Sequence, residues 1–262
     1  MNVFYFLVSF LASIAGAICG IGGGVIIKPV LDMLGLASIS TISFLSGCTV
    51  LSMSCYSVGN SILSNENTVD FKVSTPLAVG AAIGGVVGKQ LFSFVMNLLS
   101  NQNSVGMIQS LCLMIITIGT FMYTIFKSKI RTYRIKPIGL CGIIGLVLGI
   151  ISSFLGIGGG PINFVILFFF FSMDTKTSAQ NSIYIILFSQ ITSLAATLVT
   201  KSVPEFHFTA LILMILGGIG GGIAGKYLNK RMNNQDVDKI FLYLMGAIIF
   251  ISVFNAVKYS AL

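Results

Sequence analysis

The residues of this chain that could do chemistry are few, and they gather around a glycine pentapeptide that occurs twice. Gly-Ile-Gly-Gly-Gly occupies residues 20–24 and again residues 156–160, so that each half of the chain carries one copy. Four glycines within five positions should stop a helix, because each glycine in a helix interior costs roughly 1 kcal/mol relative to alanine. A helix that restarts after such a break presents free N–H groups and about half a positive charge, which suits an anion.

Both glycine clusters lie in long uncharged segments. Hydrocarbon offers no water to the backbone groups that a break frees, so a break is tolerated only against protein or a wet cavity. Close helix packing through small residues is the alternative interpretation. Repetition at matched places in the two halves favours two facing breaks that build one binding site. The predicted backbone donors are Gly22, Gly23, Gly24, Gly158, Gly159 and Gly160.

Polar side chains near the breaks could complete such a site. Lys28 follows the first break by one turn, and Asn163 comes just after the second. The next span opens with Gln180, Asn181 and Ser182, and its counterpart in the first half contains Ser43. Each signal is weak alone, because amides and hydroxyls also join membrane helices and a lysine can extend its amine to the interface.

The same inventory argues against catalysis and metal binding. The one histidine is His207, and the five cysteines form no CxxC pair. No nucleophile–base set, paired carboxylates or metal-ligand cluster can be recognised, so we expect no enzyme, metal or cofactor. No acidic residue is expected in the middle of a span, and Asp32 is assigned to a segment end. That distribution speaks against a cation-coupled site, although a coupling proton or sodium ion stays open.

Composition places these residues in a lipid bilayer. The chain is 55% hydrophobic with a mean hydropathy of +0.99, and only 8% of its residues are charged, against about 25% in soluble proteins. The net charge of +8 comes from basic residues in the loops, which indicates membrane orientation rather than nucleic-acid binding. We therefore predict an all-α polytopic membrane protein.

The hydrophobic runs predict about eight full transmembrane helices and two short broken or re-entrant helices. The short helices follow the glycine breaks at residues 25–36 and 161–173. Each would cover only ~18 Å of a hydrocarbon core of ~30 Å. The full spans are predicted at residues 2–19, 39–63, 73–96, 105–126, 138–155, 177–200, 208–228 and 240–258.

The halves of the chain predict two inverted repeats. Residues 1–126 form the first repeat and residues 138–262 the second, joined by a basic linker at residues 127–137 that should face the cytoplasm. Gly88-Lys89 is matched by Gly225-Lys226, at nearly the same separation as the two glycine motifs. The loop at residues 97–104 is uncharged, whereas its counterpart at residues 226–239 is basic. Equivalent loops on opposite faces of the membrane indicate inversion.

The paired motifs, GIGGGVIIKP at residues 20–29 and GIGGGP at residues 156–161, resemble the TauE/SafE family. The resemblance covers nearly the whole chain and implies transport of sulfite, thiosulfate or sulfonates across the cytoplasmic membrane. The second motif departs from the first, because Val165 stands in the place of Pro29 and Asn163 in the place of Ile27. The two half-sites should therefore not be equivalent.

These observations together predict a multi-pass secondary transporter that moves a small anion by alternating access. The sequence also allows an anion channel, whose selectivity would come from backbone dipoles, or a transporter of a non-sulfur organic anion. It does not fix the substrate, the direction of transport or the oligomeric state.

Overall fold

The computed structural model describes residues 2–64, 69–99 and 102–260, and this part of the chain is helical with no strand. Seven of its helices are long and apolar enough to cross a membrane. The helices are α1 (Asn2–Cys19), α2 (Gly24–Leu34), α3 (Ile39–Leu63), α4 (Phe71–Leu98), α5 (Gln102–Phe126), α6 (Ile138–Leu155), α7 (Pro161–Phe171), α8 (Thr175–Val199), α9 (Phe208–Arg231) and α10 (Asn234–Ser260), with a 3-10 turn at Lys127–Lys129. The predicted polytopic all-α class is confirmed.

Two of the remaining helices, α2 and α7, are short, as the glycine clusters predict. α2 and α7 have 11 residues each and reach only ~16 Å. α2 folds back on α1, because a Cβ atom placed on Gly16 would lie 2.5 Å from the Gly23 nitrogen. α1 has 18 residues, so the count of eight full spans stays a prediction.

Two parallel helix pairs are packed through glycines. A Cβ atom on Gly84 of α4 would lie 2.1 Å from the Leu146 carbonyl oxygen of α6, and one on Gly221 of α9 would lie 2.4 Å from the Phe10 carbonyl oxygen of α1. The absent Cβ atoms let the backbones touch. The contacts advance in the same direction along both helices: Gly80 with Gly142, Gly84 with Leu146 and Gly88 with Ile150, and likewise Gly217 with Phe6, Gly221 with Phe10 and Gly225 with Ile14.

Two further helix pairs run antiparallel. Gly47 near the start of α3 lies against Leu194 near the end of α8, and Val58 near the end of α3 packs with Ile183 near the start of α8. α5 and α10 are also antiparallel, with contacts Gly106–Tyr259 and Thr120–Met245. Antiparallel packing of equivalent helices is what an inverted duplication predicts, and the repeats at residues 1–126 and 138–262 stay a prediction.

The basic linker lies at one end of the helix bundle. Lys127, at the start of the basic linker, donates to Thr175 Oγ1 at 3.2 Å and forms an ion pair with Asp238. Because Thr175 begins α8, the linker lies at the end of the bundle where α8 starts; we call this the basic end. The positive-inside rule assigns the basic end to the cytoplasm.

Candidate functional site

The two glycine breaks meet in the structure. A Cβ atom placed on Gly24 would lie 2.4 Å from the Ile157 carbonyl oxygen, and one on Gly22 would lie 3.9 Å from the Gly158 carbonyl oxygen. The first break therefore touches the second directly.

Backbone conformation explains why glycine stands at these positions. Gly22 has φ +73°, Gly158 +78° and Gly159 +131°, values that side chains of L-residues rarely allow. Space is also short, since a Cβ atom on Gly20 would lie 2.2 Å from the Ala179 Cα atom. The glycine clusters therefore both break the helices and allow other backbone segments to approach closely.

Helices α3 and α8 cross the breaks at their midpoints. Val50, halfway along α3, and Ile186, halfway along α8, both lie 3.5 Å from the Cβ position of Gly22. The same two side chains approach the second break, Val50 at Gly158 and Ile186 at Gly159. The breaks are thus enclosed between α3 and α8, about half-way between the two ends of the bundle.

Three consecutive glycine N–H groups in each break lack acceptors within the described part of the chain. Within the described residues, no hydrogen bond is donated by the N–H groups of Gly22, Gly23, Gly24 or Val25. The same holds for the N–H groups of Gly158, Gly159, Gly160 and Ile162. Buried N–H groups without partners are rare and costly, and an oxyanion is a ligand that could satisfy several of them at once.

Asn163 and Ser43 lie beside the second break. Asn163 is 1% exposed, its Nδ2 atom is 3.1 Å from the Cβ position of Gly159, and its Oδ1 atom has no partner in the described chain. The Ser43 hydroxyl lies 2.7 Å from the Cβ position of Gly156. Ser182 is fully buried on α8 with an unpartnered hydroxyl.

Lys28 is buried, and its ammonium group contacts the residue that precedes the second break. Its Nζ atom donates to Gln109 Oε1 at 2.5 Å and to the Leu155 carbonyl oxygen at 2.9 Å. It is 3% exposed, which excludes the alternative that its amine extends to the membrane interface. The cavity beside it includes Asp32, Asn255 and Ile157, the last of which belongs to the second break.

Gln180 and Asn181 follow Ala179, which contacts Gly20 of the first break. Asn181 Oδ1 accepts hydrogen bonds from the Asp70 N–H at 2.9 Å and from the Ser74 hydroxyl at 2.5 Å. Asn181 therefore fastens the start of α4 to α8, the helix-joining role that the sequence left open. Gln180 lines a different cavity, together with Lys226.

Sequence reasoning missed Gln190, which adjoins the second break. It is 3% exposed, and its Cδ atom lies 3.4 Å from the Cβ position of Gly158. It lines a cavity with Ser43, Gly156 and Lys89. Gln190 follows Ser182 by about two helical turns, which puts both on one helix face. The spacing between Ser182 and Gln190 could therefore have indicated Gln190 as a candidate site residue.

Asp32 lies in the last turn of α2, the segment end to which the sequence assigns it. Its burial was not expected, because it is 5% exposed and its Oδ1 atom has no partner in the described chain. Lys258 of α10 donates to the backbone carbonyls of Asp32 and Met33 rather than to this carboxylate. Burial beside α10 could not be foreseen, because Lys258 is 226 residues away in sequence.

The fold defines a class of protein, the multi-pass α-helical membrane proteins. The family model described as sulfite exporter TauE/SafE matches residues 5–252. The chain belongs to this family, which confirms the resemblance seen in its motifs.

A curated relative supports the same assignment. The chain is similar to the probable membrane transporter protein YunE of Bacillus subtilis (strain 168), with 22% identity over 276 residues that cover 95% of this chain and 97% of the relative. No solved structure matches the chain. The protein is thus a multi-pass membrane transporter of the TauE/SafE family, and the cytoplasmic membrane is the usual location of this family.

Proposed function

We propose that this protein is a secondary transporter that moves a sulfur oxyanion or a sulfonate across the cytoplasmic membrane. The observation that carries the proposal is the contact between the two breaks, where the N–H groups of residues 22–24 and 158–160 have no acceptor in the described chain. Such donors bind oxygen atoms of an anion without requiring an ionised side chain. Asn163 adds an amide beside Gly159.

Alternating access is the mechanism that we propose. Cavities lie toward both ends of α3 and α8, one beside Lys89 and one beside Lys226, with volumes of ≈ 20 and ≈ 30 Å³. A cavity needs roughly 10–15 Å³ to hold a single water molecule, so neither admits an oxyanion without widening. Widening one cavity at a time would expose the breaks to each face in turn. An anion channel, which is the alternative, would instead need an open path through both cavities.

Asp32 is our proposed location for the coupling ion. Among the described residues, it is the only carboxylate-bearing residue that is buried, and its Oδ1 atom is unpartnered. Ionisable residues inside a membrane are costly and commonly mark ion or proton pathways. Lys28 on the same helix favours a proton over sodium, since a nearby ammonium group repels a metal cation.

The test is uptake of labelled sulfite, thiosulfate and taurine into proteoliposomes, each competed by the unlabelled anions. We expect saturable flux of at least one sulfur anion in the native protein. Gly24→Ala should abolish it, since its Cβ would meet Ile157. Gly246→Ala is the matched control, because Gly246 has nothing within 4 Å of its Cβ position.

Thermal unfolding of each variant separates loss of transport from loss of fold. If Gly24→Ala does not fold, Asn163→Leu takes its place, with reduced flux expected in a folded protein. Flux that rises linearly with concentration and carries current would favour the channel. Saturable flux of carboxylates alone would favour the non-sulfur alternative.

A further inference from the structure

Two cavities of this protein are built from matching positions in the two halves of the chain. One contains Lys89 and the other Lys226, and we call them the Lys89 cavity and the Lys226 cavity. Ser193 and Thr197 line the first, and Ser57 and Ser61 line the second. Ser57 is separated from Ser193, and Ser61 from Thr197, by the same stretch of sequence that separates the two glycine motifs, and the lysines correspond at nearly that separation.

The two cavities lie at opposite ends of the same helix pair. Along α3, the Lys89 cavity reaches Ser43 and Gly47, whereas the Lys226 cavity reaches Ser57 and Ser61. About four turns of helix separate these contacts, or ~21 Å. The glycine breaks contact Val50, between the two. The cavities therefore flank the breaks, one toward each face of the membrane.

Side chains in the Lys89 cavity are suited to an anion. The hydroxyls of Ser43 and Ser153 are buried without partners in the described chain, and both residues line this cavity. Gln190 lines it too and reaches the Gly158 break. No carboxylate-bearing residue is among the described residues that line either cavity. A cavity that offers unpartnered hydrogen-bond donors and contains no carboxylate favours a negatively charged ligand.

The lysines of the two cavities are held differently. Lys226 Nζ donates to Asn60 Oδ1 at 2.6 Å and to the Ser61 hydroxyl at 3.1 Å, which ties α9 to α3. Lys89 Nζ lies 4.9 Å from the centre of the Phe92 ring and donates no hydrogen bond to a described residue. Of the two ammonium groups, that of Lys89 keeps its hydrogen-bond donors available within this part of the chain.

We propose that the Lys89 and Lys226 cavities are the two vestibules of the transport path, and that each lysine is a receiving site for the sulfur oxyanion or sulfonate. This inference rests on the proposed function. Lys226 lies at the basic end, because its cavity reaches Ala179 near the start of α8, so its vestibule faces the cytoplasm and that of Lys89 faces outward. The bonds from Lys226 to Asn60 and Ser61 hold the cytoplasmic vestibule closed, and an entering anion replaces them.

The proposal predicts that each lysine affects anion affinity from one face only. In proteoliposomes of known orientation, Lys89→Gln should raise KM about tenfold for anion supplied at the outer face, the loss expected of a charge-assisted contact. KM at the basic end should change little. Lys226→Gln should show the converse. Lys201→Gln and Lys129→Gln are exposed controls that should leave both KM values unchanged.

A one-sided change of KM would support the proposal, and an equal change at both faces, or none, would overturn it. Absence of any anion flux in the native protein would count against the proposed function instead. A second measurement then still tests the vestibules. Ser193→Cys and Ser57→Cys should react with an anionic, membrane-impermeant thiol reagent from opposite faces, read by mass spectrometry. Reaction of both from the same face would contradict the two-vestibule arrangement.

Discussion

The helices that follow the two breaks, α2 and α7, have the same length and the same place after a glycine break, but their side chains pack differently. Each has 11 residues and begins at a glycine break. Lys28 in α2 corresponds to Phe164 in α7 when the two glycine motifs are aligned. Phe164 stacks on Phe241 of α10 with ring centres 4.6 Å apart, whereas Lys28 bonds to Gln109 of α5.

The polar character of α2 extends along its length. Asn255 of α10 donates to the Pro29 carbonyl oxygen at 2.9 Å, and Lys258 donates to carbonyls at the end of the helix. α7 is held instead by buried Phe164, Leu167 and Phe171. The difference teaches that the backbone break recurs in both halves while the chemistry around it does not. The glycines are shared, but among the residues that the structure describes the buried lysine and carboxylate belong to the first half alone.

The largest expected effect that distinguishes the two breaks is the loss of stability when a break glycine is replaced by alanine. Gly159→Ala should be far more damaging than Gly22→Ala, because Gly159 combines φ +131° with a Cβ position 2.4 Å from Ile186. Gly22 has room, so only its left-handed conformation, about 1–2 kcal/mol, opposes alanine. Thermal unfolding in detergent measures both. Equal losses of stability would mean that the two breaks are strained alike.

A second prediction tests whether the polar contact of α2 serves stability. Lys28→Met leaves Gln109 Oε1 and the Leu155 carbonyl without their donor and should cost about 2–4 kcal/mol of unfolding free energy. Lys28→Met with Gln109→Leu imitates the apolar interior of α7. It removes the unpaired Gln109 Oε1 atom but also the bond from Gln109 Nε2 to the Phe154 carbonyl oxygen, so it should recover only part of this loss.

Transport should stay impaired in the double variant if the polar cluster has a functional role. A double variant that is both stable and fully active would show that the contrast between α2 and α7 has no consequence for transport. Phe164→Leu serves as the matched change in α7. It should lower stability and leave the anion KM unaffected.

A third prediction concerns Asn163, which replaces the Ile27 of the first half. Asn163→Leu removes a buried Oδ1 atom without a partner and should raise unfolding free energy by about 1 kcal/mol. If its Nδ2 atom contacts the anion, KM should rise at the same time. Ile27→Leu is the control and should change neither strongly. A lower stability in Asn163→Leu would mean that the amide supports the fold.

The smallest expected effects come from the matched serines Ser46 and Ser182. Both are fully buried, and both hydroxyls lack partners in the described chain. Ser46→Ala and Ser182→Ala should each shift unfolding free energy by no more than about 1 kcal/mol. Calorimetric measurement of anion binding to each variant would then distinguish the roles of the two serines. A larger loss of affinity in one variant would assign the hydroxyl that contacts the anion.

The sequence alone determined the helices and the breaks, because both depend on residues that are neighbours in the chain. Hydrophobic length predicted the bounds of α3 (Ile39–Leu63) and α6 (Ile138–Leu155), and clustered glycines predicted where helices stop. Recurrence of the glycine motif at matched places in the two halves also predicted that the breaks would meet, since repeated elements occupy equivalent places.

Only the tertiary structure decided which side chains accompany the breaks. Lys28 bonds to a glutamine 81 residues away, Asp32 is buried beside α10, and the Lys89 and Lys226 cavities form where four helices converge. A side chain's partners depend on which helices pack together and how they are rotated, and spacing within one segment does not contain that information. Burial of a charge in particular depends on neighbours that the local sequence does not name.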